Sequence, residues 1–332
     1  MSRLESVRIH QHFGEITEFA NEAPTTSCMI GESAAWRAVI KTAARLAPLE
    51  TTACLQGESG TGKEVLARFL HRNSPRRRGP FLAINCAALP EHLFESELFG
   101  FERGAFTSAE QPKAGQLELA AGGVLFLDEI SELTPAAQAK ILRVLQEREF
   151  RRLGGTRSIT VNVRVIVATN RDLREAVARA AFRADLYYRV NVFEIRVPPL
   201  RHRGEDIIPL ARRFLHEFSR TNNAPVTALA PDAVAALVAY QWPGNVRELQ
   251  SAIERASIVC DGGVIHESDL MLAQEDTVAE DRTRLSDLEQ RAIAHAMREV
   301  NGNRSKAARQ LGISRTQLYA RLRKYGLESY GR

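Results

Sequence analysis

The residues best suited to chemistry lie in three short runs of this 332-residue chain. Gly57-Glu58-Ser59-Gly60-Thr61-Gly62-Lys63 has the spacing GxxxxGK. Glycines there let backbone N–H groups curl around phosphate oxygens, and a helix starting at the lysine adds a favourable dipole. Lys63 can then reach the terminal phosphates of a nucleotide. A Ser or Thr ordinarily follows that lysine and holds Mg²⁺. Here Glu64 follows, so the metal is expected on Thr61, water and Asp128. The second run, Gly122 to Glu129, is apolar and ends in Asp128-Glu129. Two carboxylates at the end of a buried strand are costly unless they have a task. Asp128 is expected to position Mg²⁺ through water, and Glu129 to polarise an attacking water. The third run, Val163 to Ala168, ends in Thr169-Asn170. An Asn there can orient water or sense a γ-phosphate, or simply begin a turn. ATP and Mg²⁺ are the expected cofactors.

A sheet edge is needed to bring these runs together. Thr51 to Leu55 reads as a strand, and Lys63 to His71 as a helix with Leu66, Phe69 and Leu70 on one face. Phe81 to Ile84, Val124 to Leu127 and Val163 to Ala168 read as further strands. The run from Val124 is apolar at every position, as a parallel strand buried on both faces would be. Strands alternating with helices predict an α/β fold with a parallel sheet and right-handed crossovers. Ligands bind such sheets at the carboxyl ends of the strands.

Val197-Pro198-Pro199-Leu200 ends that pattern, because consecutive prolines stop regular structure. Glu205 to Ser219, Pro231 to Tyr240 and Asn245 to Cys260 then read as helices, with Pro231 suited to a first turn. The expected organisation is a polar segment 1–27, an α/β unit 28–200, a helical subdomain 201–270, an acidic linker 271–284 and a small all-α domain 285–332. The first segment is too short to fold as a sensor.

In that last domain, Leu285 to Val300 reads as a helix, Asn301-Gly302-Asn303 as a turn and Arg304 to Leu311 as a second helix. Gly312-Ile313 turns again, Ser314 can cap, and a third helix follows with Leu318 and Leu322 as its buried stripe. A short helix, a glycine turn and a basic helix fit a DNA-binding helix-turn-helix. From Asn301 onward eight basic residues face one acid, Glu328, so this stretch is +7 of a total of +5, and the rest of the chain is net −2. Arg315, Thr316 and Gln317, at the start of the third helix, are the candidates for reading bases. Arg321, Arg323 and Lys324 are the candidates for holding phosphates. Arg304, Ser305 and Tyr319 complete the expected DNA-binding set. The competing reading is a solvated charged helix.

Composition limits the rest. Hydrophobic residues make up 44% and charged residues 26%, an ordinary globular balance. Cys28, Cys54, Cys86 and Cys260 are scattered without a CxxC pair, which fits a reducing compartment. The start, MSRLESVRIH, has no apolar signal segment, and no run of ~18 apolar residues offers a membrane span. A cytoplasmic protein is expected.

Six stretches appear in order: GESGTGKE (57–64), ESELFGFERGAFTSA (95–109), GGVLFLDE (122–129), ATNRDL (168–173), FRADLYYRVNVF (182–193) and WPGNVREL (242–249). Together they resemble the bacterial enhancer-binding proteins, the AAA+ activators of sigma-54 RNA polymerase, over Met29 to Asp269, and a Fis-type helix-turn-helix completes the likeness. The resemblance implies an AAA+ P-loop ATPase with a helical lid. It implies assembly from dimers into rings, commonly hexamers, with ATP between neighbouring subunits. Arg183 and Arg189 match the arginine fingers that reach the adjacent site, although Asp185 beside them also allows an ordinary salt-bridged helix. Arg247 matches a second sensor on the lid; its alternative is a solvent-facing arginine. Asn85 matches the residue that holds Glu129 back from water, or it caps a turn. Gly104, Ala105, Phe106, Thr107, Ser108 and Ala109 match the loop that grips sigma-54, where the usual sequence is GAFTGA and Ser108 replaces glycine. From the residues alone, a glycine and small residues around one aromatic can project a Phe into solvent as a partner surface; the plainer alternative is a loop whose Phe folds back into the core.

Three functions follow. The first is an ATP-driven activator that binds double-stranded enhancer DNA and remodels sigma-54 polymerase, controlled by a regulatory protein in trans or by its own amount. The second is a DNA-binding regulator of the ordinary polymerase with ATP as a structural ligand; some relatives with altered loops act this way, and Ser108 points there. The third is another AAA+ remodeller, which the helix-turn-helix and the FERGAFTSA loop argue against.

Overall fold

The structure is a computed structural model that describes residues 29–88, 90–107, 109–222, 228–260, 262–272, 293, 296–297, 300 and 303–325. The chain divides after Leu272 into two compact units.

The first unit is built on a five-stranded sheet. Its strands are β1 (Ala53–Gln56), β2 (Phe81–Asn85), β3 (Val124–Asp128), β4 (Arg164–Thr169) and β5 (Phe193–Arg196). They lie in the order β2-β3-β4-β1-β5, and every pairing is parallel. The register sets Asn85 beside Asp128 and Gln56 beside Thr169, so the candidate runs end along one edge. β3 is buried at Val124 to Leu127, as its unbroken apolar run requires. Its side chains alternate between two cores. Leu125 and Leu127 pack on one face with Val165 and Val167. Val124 and Phe126 pack on the other with Leu55, Ile166 and Ala168.

Helices cover both faces. α1 (Ala34–Leu46) and α2 (Lys63–Arg72) bury Trp36, Leu46, Leu66 and Leu70 against the second core. α3 (Glu91–Phe99), α4 (Pro135–Glu147) and α5 (Ala184–Val190) bury Leu98, Ile141 and Leu186 against the first. Phe69, expected on the packing face of α2, is partly buried against the second core.

Two expected boundaries move for identifiable reasons. The first strand starts at Ala53 instead of Thr51, because the Thr51 carbonyl accepts a bond from Arg164 Nε at 3.3 Å. That buried guanidinium also takes Ala47 O and Leu46 O, closing the C-terminal end of α1. The first lid helix, α6 (Ile207–Asn222), starts at Ile207 instead of Glu205, after short 3-10 turns at Leu200–His202 and Gly204–Asp206. Pro209 explains this: it lacks an N–H, so it fits the first helical turn and could not bond back to residue 205.

The lid continues with α7 (Pro231–Ala239) and α8 (Asn245–Val259), wrapped around fully buried Trp242, Leu249 and Ile253. A two-residue parallel pair, Ala228–Leu229 with Val264–Ile265, ties its ends; it has no local sequence signal.

In the second unit, α9 (Arg304–Gln310) and α10 (Arg315–Lys324) surround a small core of Ile293, Met297, Ala307, Ala308, Leu318 and Leu322. Gly312, between them, has φ +66°, where glycine carries no steric cost. Ser314 caps α10: its hydroxyl accepts from Gln317 N, while Gln317 Oε1 accepts from Ser314 N. The expected helix Leu285 to Val300 is helical at residues 293, 296 and 297 and is a turn at Val300; its other residues, like 273–284 of the expected linker 271–284, lie outside the described residues.

Candidate functional site

The loop between β1 and α2 starts with Gly57, whose N–H donates to Thr169 O at 3.1 Å. Gly60 and Gly62 adopt φ +77° and +99°, left-handed values that favour glycine. A Cβ on Gly62 would meet nothing, so this side of the loop is open. Lys63 is the first residue of α2 and is only 6% exposed. Its Nζ donates to Gly57 O at 2.8 Å and Glu58 O at 3.2 Å, and lies 3.7 Å from Glu129 Oε1. A buried ammonium ringed by carbonyls at a helix N-terminus is suited to phosphate.

Glu129 stands at the end of β3 with φ +53°, a costly conformation for a glutamate. Its Oε2 accepts from Asn170 N at 3.1 Å, so the third run meets the second through its backbone and not through the Asn170 side chain. Asp128, partly exposed, accepts from Glu129 N through Oδ1. Asn85 sits beside it in the ladder, but its Oδ1 accepts from Ala87 N at 2.9 Å, which caps a turn. The carboxylate of Glu129 is engaged by Lys63 and Asn170, with no bond to Asn85.

The magnesium expectation fits unevenly. Among the described residues no three His, Cys, Asp or Glu side chains gather as a metal cluster. The partly exposed Asp128 carboxylate can hold a hydrated ion. The Thr61 hydroxyl is buried and donates to Glu58 O at 2.8 Å, so its hydrogen is committed and only its lone pairs face a cation. Glu64 is exposed and accepts two bonds from Arg68.

The lid approaches the same loop. Arg247 Nη1 donates to Ser59 Oγ at 3.1 Å, so the expected sensor reaches the phosphate loop while its side chain remains exposed to solvent. Three further lid residues, unassigned by motif spacing, also touch it. Arg201 forms a two-pronged pair with Glu58, and with the Asn245 amide it holds the Glu58 carboxyl below the usual range. Arg203 is buried over the Trp36 ring at 4.4 Å and donates to Thr61 O; burial pushes its pKa down to about 10, partly opposed by Asp206. Asp206 in turn accepts from Glu32 N, Ser33 N and Ser33 Oγ. The one available sequence signal was that Asn245 falls inside WPGNVREL.

Arg183 and Arg189 are both exposed, at the N-cap and last turn of α5. They differ in partners. Arg183 pairs with Asp185 through Nε and Nη2, and this draws the Asp185 carboxyl down and the guanidinium up. Arg189 has no ion-pair partner among the described residues.

The loop 102–112 springs from an antiparallel pair, Gly100–Phe101 with Lys113–Ala114. Gly104 N donates to Ala109 O and Ala109 N to Phe106 O, so residues 104–109 close on themselves. Phe106 is 42% exposed, with one edge on Phe101 at 4.8 Å; it neither enters the core nor stands free. Ala105 packs beside Gly154, Thr107 is exposed, Ala109 is buried, and Ser108 lies outside the described residues.

In the second unit Ser305, Arg315, Thr316, Gln317, Tyr319 and Arg323 are exposed. Gln317 already spends its side-chain oxygen on the cap. Arg304 lies over the Tyr319 ring at 4.9 Å, and bonds from Arg304 and Arg315 hold the Tyr319 hydroxyl below its usual pKa. Arg321 is partly buried, and the Lys324 side chain lies outside the described residues.

A parallel sheet in this order, a phosphate loop, an acidic strand end and a helical lid define a AAA+ P-loop ATPase. The family description "Sigma-54 interaction domain" matches residues 29–196, "AAA+ ATPase lid domain" matches 201–287, and "Bacterial regulatory protein, Fis family" matches 284–325. The chain therefore belongs to the sigma-54 activator family, with a Fis-type helix-turn-helix. It is 46% identical over 315 residues to the transcriptional regulatory protein ZraR of Klebsiella oxytoca, covering 91% of this chain and 71% of that one. It is 55% identical over 239 residues to the Nif-specific regulatory protein of Herbaspirillum seropedicae, covering 72% and 44%. The crystal structure of NtrX from Brucella abortus in complex with ATP aligns with TM-score 0.69 and 33% identity, over 97% of this chain and 73% of that one. The chain thus spans 44% of one relative, 71% of another and 73% of the solved structure.

Proposed function

We propose that this chain is a cytoplasmic, ATP-driven activator of sigma-54 RNA polymerase, bound to double-stranded enhancer DNA and working as a homo-oligomeric ring. The observation that carries the reading is a half-exposed Phe106, on a self-closed loop, in the same unit as a phosphate loop already joined to Glu129 through Lys63.

In this reading the phosphates of ATP take the place beside Lys63 that Glu129 shares. Glu129 then polarises a water for in-line attack on the γ-phosphorus, its orientation kept by Asn170 N. Asp128 would hold a magnesium ion, with Thr61 as a weaker candidate, and that ion would supply neutralisation of phosphate charge. Arg247 reports phosphate to the lid. Arg183 and Arg189, exposed on α5, stabilise charge in a neighbour's site. Asn85 meets Glu129 only after leaving its bond to Ala87 N. Arg315 and Thr316 read bases, with Arg304, Arg321 and Arg323 near phosphates. Activation is set by a regulatory protein in trans or by the amount of the chain.

The test is open-complex formation on a sigma-54 promoter carrying the chain's binding site. Opening with ATP and none with a non-hydrolysable analogue is the expected result. No opening, despite measured hydrolysis and DNA binding, would favour the second reading, regulation of the ordinary polymerase, to which the serine at position 108 points.

A further inference from the structure

Every carbonyl of the phosphate loop from Gly57 to Gly62 has a donor. Lys63 Nζ takes Gly57 O and Glu58 O, and Leu66 N takes Gly62 O at 3.1 Å. The three between them are taken from the lid side. Asn245 Nδ2 donates to Ser59 O at 3.0 Å, Val246 N to Gly60 O at 3.0 Å and Arg203 Nη2 to Thr61 O at 2.9 Å. In a trans peptide the N–H points opposite to the C=O. Turning these three carbonyls to the lid therefore turns the N–H groups of Gly60, Thr61 and Gly62 to the other side. The contact leaves no slack: a Cβ on Gly60 would stand 2.3 Å from Gly244 O.

Asn245 is the hub. It is fully buried, with φ +54°, which asparagine tolerates better than other side chains. Its Oδ1 accepts from Leu200 N at 2.8 Å, at the entry to the lid. Its Nδ2 donates to Glu58 Oε2 at 3.1 Å as well as to Ser59 O. One amide thus joins the lid's entry, the loop's side chain and the loop's backbone.

We propose that Asn245 is a positioning residue for nucleotide binding: by fixing Ser59 O to the lid it sets the direction of the loop's N–H groups, which makes lid seating and phosphate binding one coupled equilibrium. Coupling of this kind is reciprocal, so bound phosphate also steadies the lid. The proposal rests on residues 57–63 being the nucleotide site.

Asn245→Asp in the full chain tests it. Aspartate keeps the size, the tolerance of positive φ and the acceptor for Leu200 N. It replaces the donor with an oxygen facing Ser59 O and the Glu58 carboxylate. Fluorescent ADP and ATP analogues are titrated into this variant, the unsubstituted chain and Lys63→Ala, and turnover is followed against ATP concentration. The expected result is a tenfold or greater loss of affinity for both nucleotides, a matching rise in KM, and kcat within about threefold at saturation. A loss shared by ADP shows that the effect does not depend on the γ-phosphate. Affinities within threefold of the unsubstituted chain would overturn the proposal, whereas normal binding by Lys63→Ala would overturn the nucleotide-site reading itself. Should the aspartate variant not fold, amide exchange in the unsubstituted chain decides. ADP is expected to slow exchange of the Val246 amide tenfold or more, and no change would refute the coupling.

Discussion

Glu129→Gln separates chemistry from binding at this site. Glutamine keeps the volume of the side chain and an oxygen for Asn170 N; it removes the charge and places an NH2 donor where the oxygen beside Lys63 stood. Loss of a general base typically slows reaction 10²–10⁴-fold, about 3–5 kcal/mol of barrier. The effect on binding has the opposite sign. Lys63 Nζ stands 3.7 Å from Glu129 Oε1, with the two side chains 6% and 14% exposed. The gross attraction at that separation is about 4 kcal/mol in a medium of effective dielectric ~20. Most of it is offset by the desolvation of both buried charges, which leaves a net on the order of 1 kcal/mol for a pair at 3.7 Å without a hydrogen bond. An arriving phosphate must take Lys63 from that pair and also stand near the carboxylate. The variant is therefore expected to bind ATP roughly fivefold more tightly while hydrolysing it at least a hundredfold more slowly. Nucleotide titration and phosphate release measure the two effects separately. Turnover within tenfold of the unsubstituted chain would remove Glu129 as the base. Tenfold weaker binding would mean that Glu129 orders the loop through Lys63 instead of opposing phosphate.

Lys63→Ala should abolish measurable ATP binding, because it removes the phosphate-holding charge and leaves Gly57 O and part of Glu58 O without their donor; normal turnover in this variant would refute the site. Mixing Arg189→Ala subunits with Lys63→Ala subunits should recover part of the lost turnover if Arg189 acts in a neighbour's site, and no recovery in verified mixed assemblies would count against that role. Arg315→Ala should weaken binding to the cognate DNA site by about 1–3 kcal/mol and relax preference at one base pair. A uniform loss across sequences in a binding-site selection would reassign Arg315 to phosphate.

Much of the site was legible because phosphate chemistry imposes local spacing. The glycines at 57, 60 and 62 and the lysine at 63 had to be close in sequence, since one loop and one helix end form the cradle. Asp128 and Glu129 were legible for a related reason: a strand buried at Val124 to Leu127 that then turns acidic contradicts its own burial. The lid's grip on the loop was not legible. Which way the Ser59 carbonyl points has no residue pattern, and its donor lies 186 residues away. Asn170 shows the same limit from the other side. Its position at a strand end was readable, but the group that meets Glu129 is its backbone N–H, which every non-proline residue carries. Arg164 escaped notice because a buried arginine inside a strand reads as an error of pattern until three carbonyls at the end of α1 and the following turn are found around it.

On the proposed reading, these contacts divide the work of hydrolysis unequally between one subunit and its neighbours. Within one chain the proposed base, Glu129, already sits at positive φ with both carboxylate oxygens engaged. The loop carbonyls are already satisfied, and the lid is already seated. What a single chain leaves exposed is positive charge on α5, and the two arginines there are not equivalent. Arg189 can turn to a neighbouring phosphate without losing an ion pair, whereas Arg183 must first exchange Asp185 for it. An exposed pair of this kind adds little stability, so it restrains direction more than it stores energy. If Arg183 and Arg189 act in a neighbour's site as proposed, a chain so arranged binds nucleotide alone and gains transition-state charge stabilisation when another copy presents α5. On that proposal, dependence on assembly would keep hydrolysis from running before several copies have gathered, and the mixed-subunit experiment with Arg189→Ala and Lys63→Ala tests it.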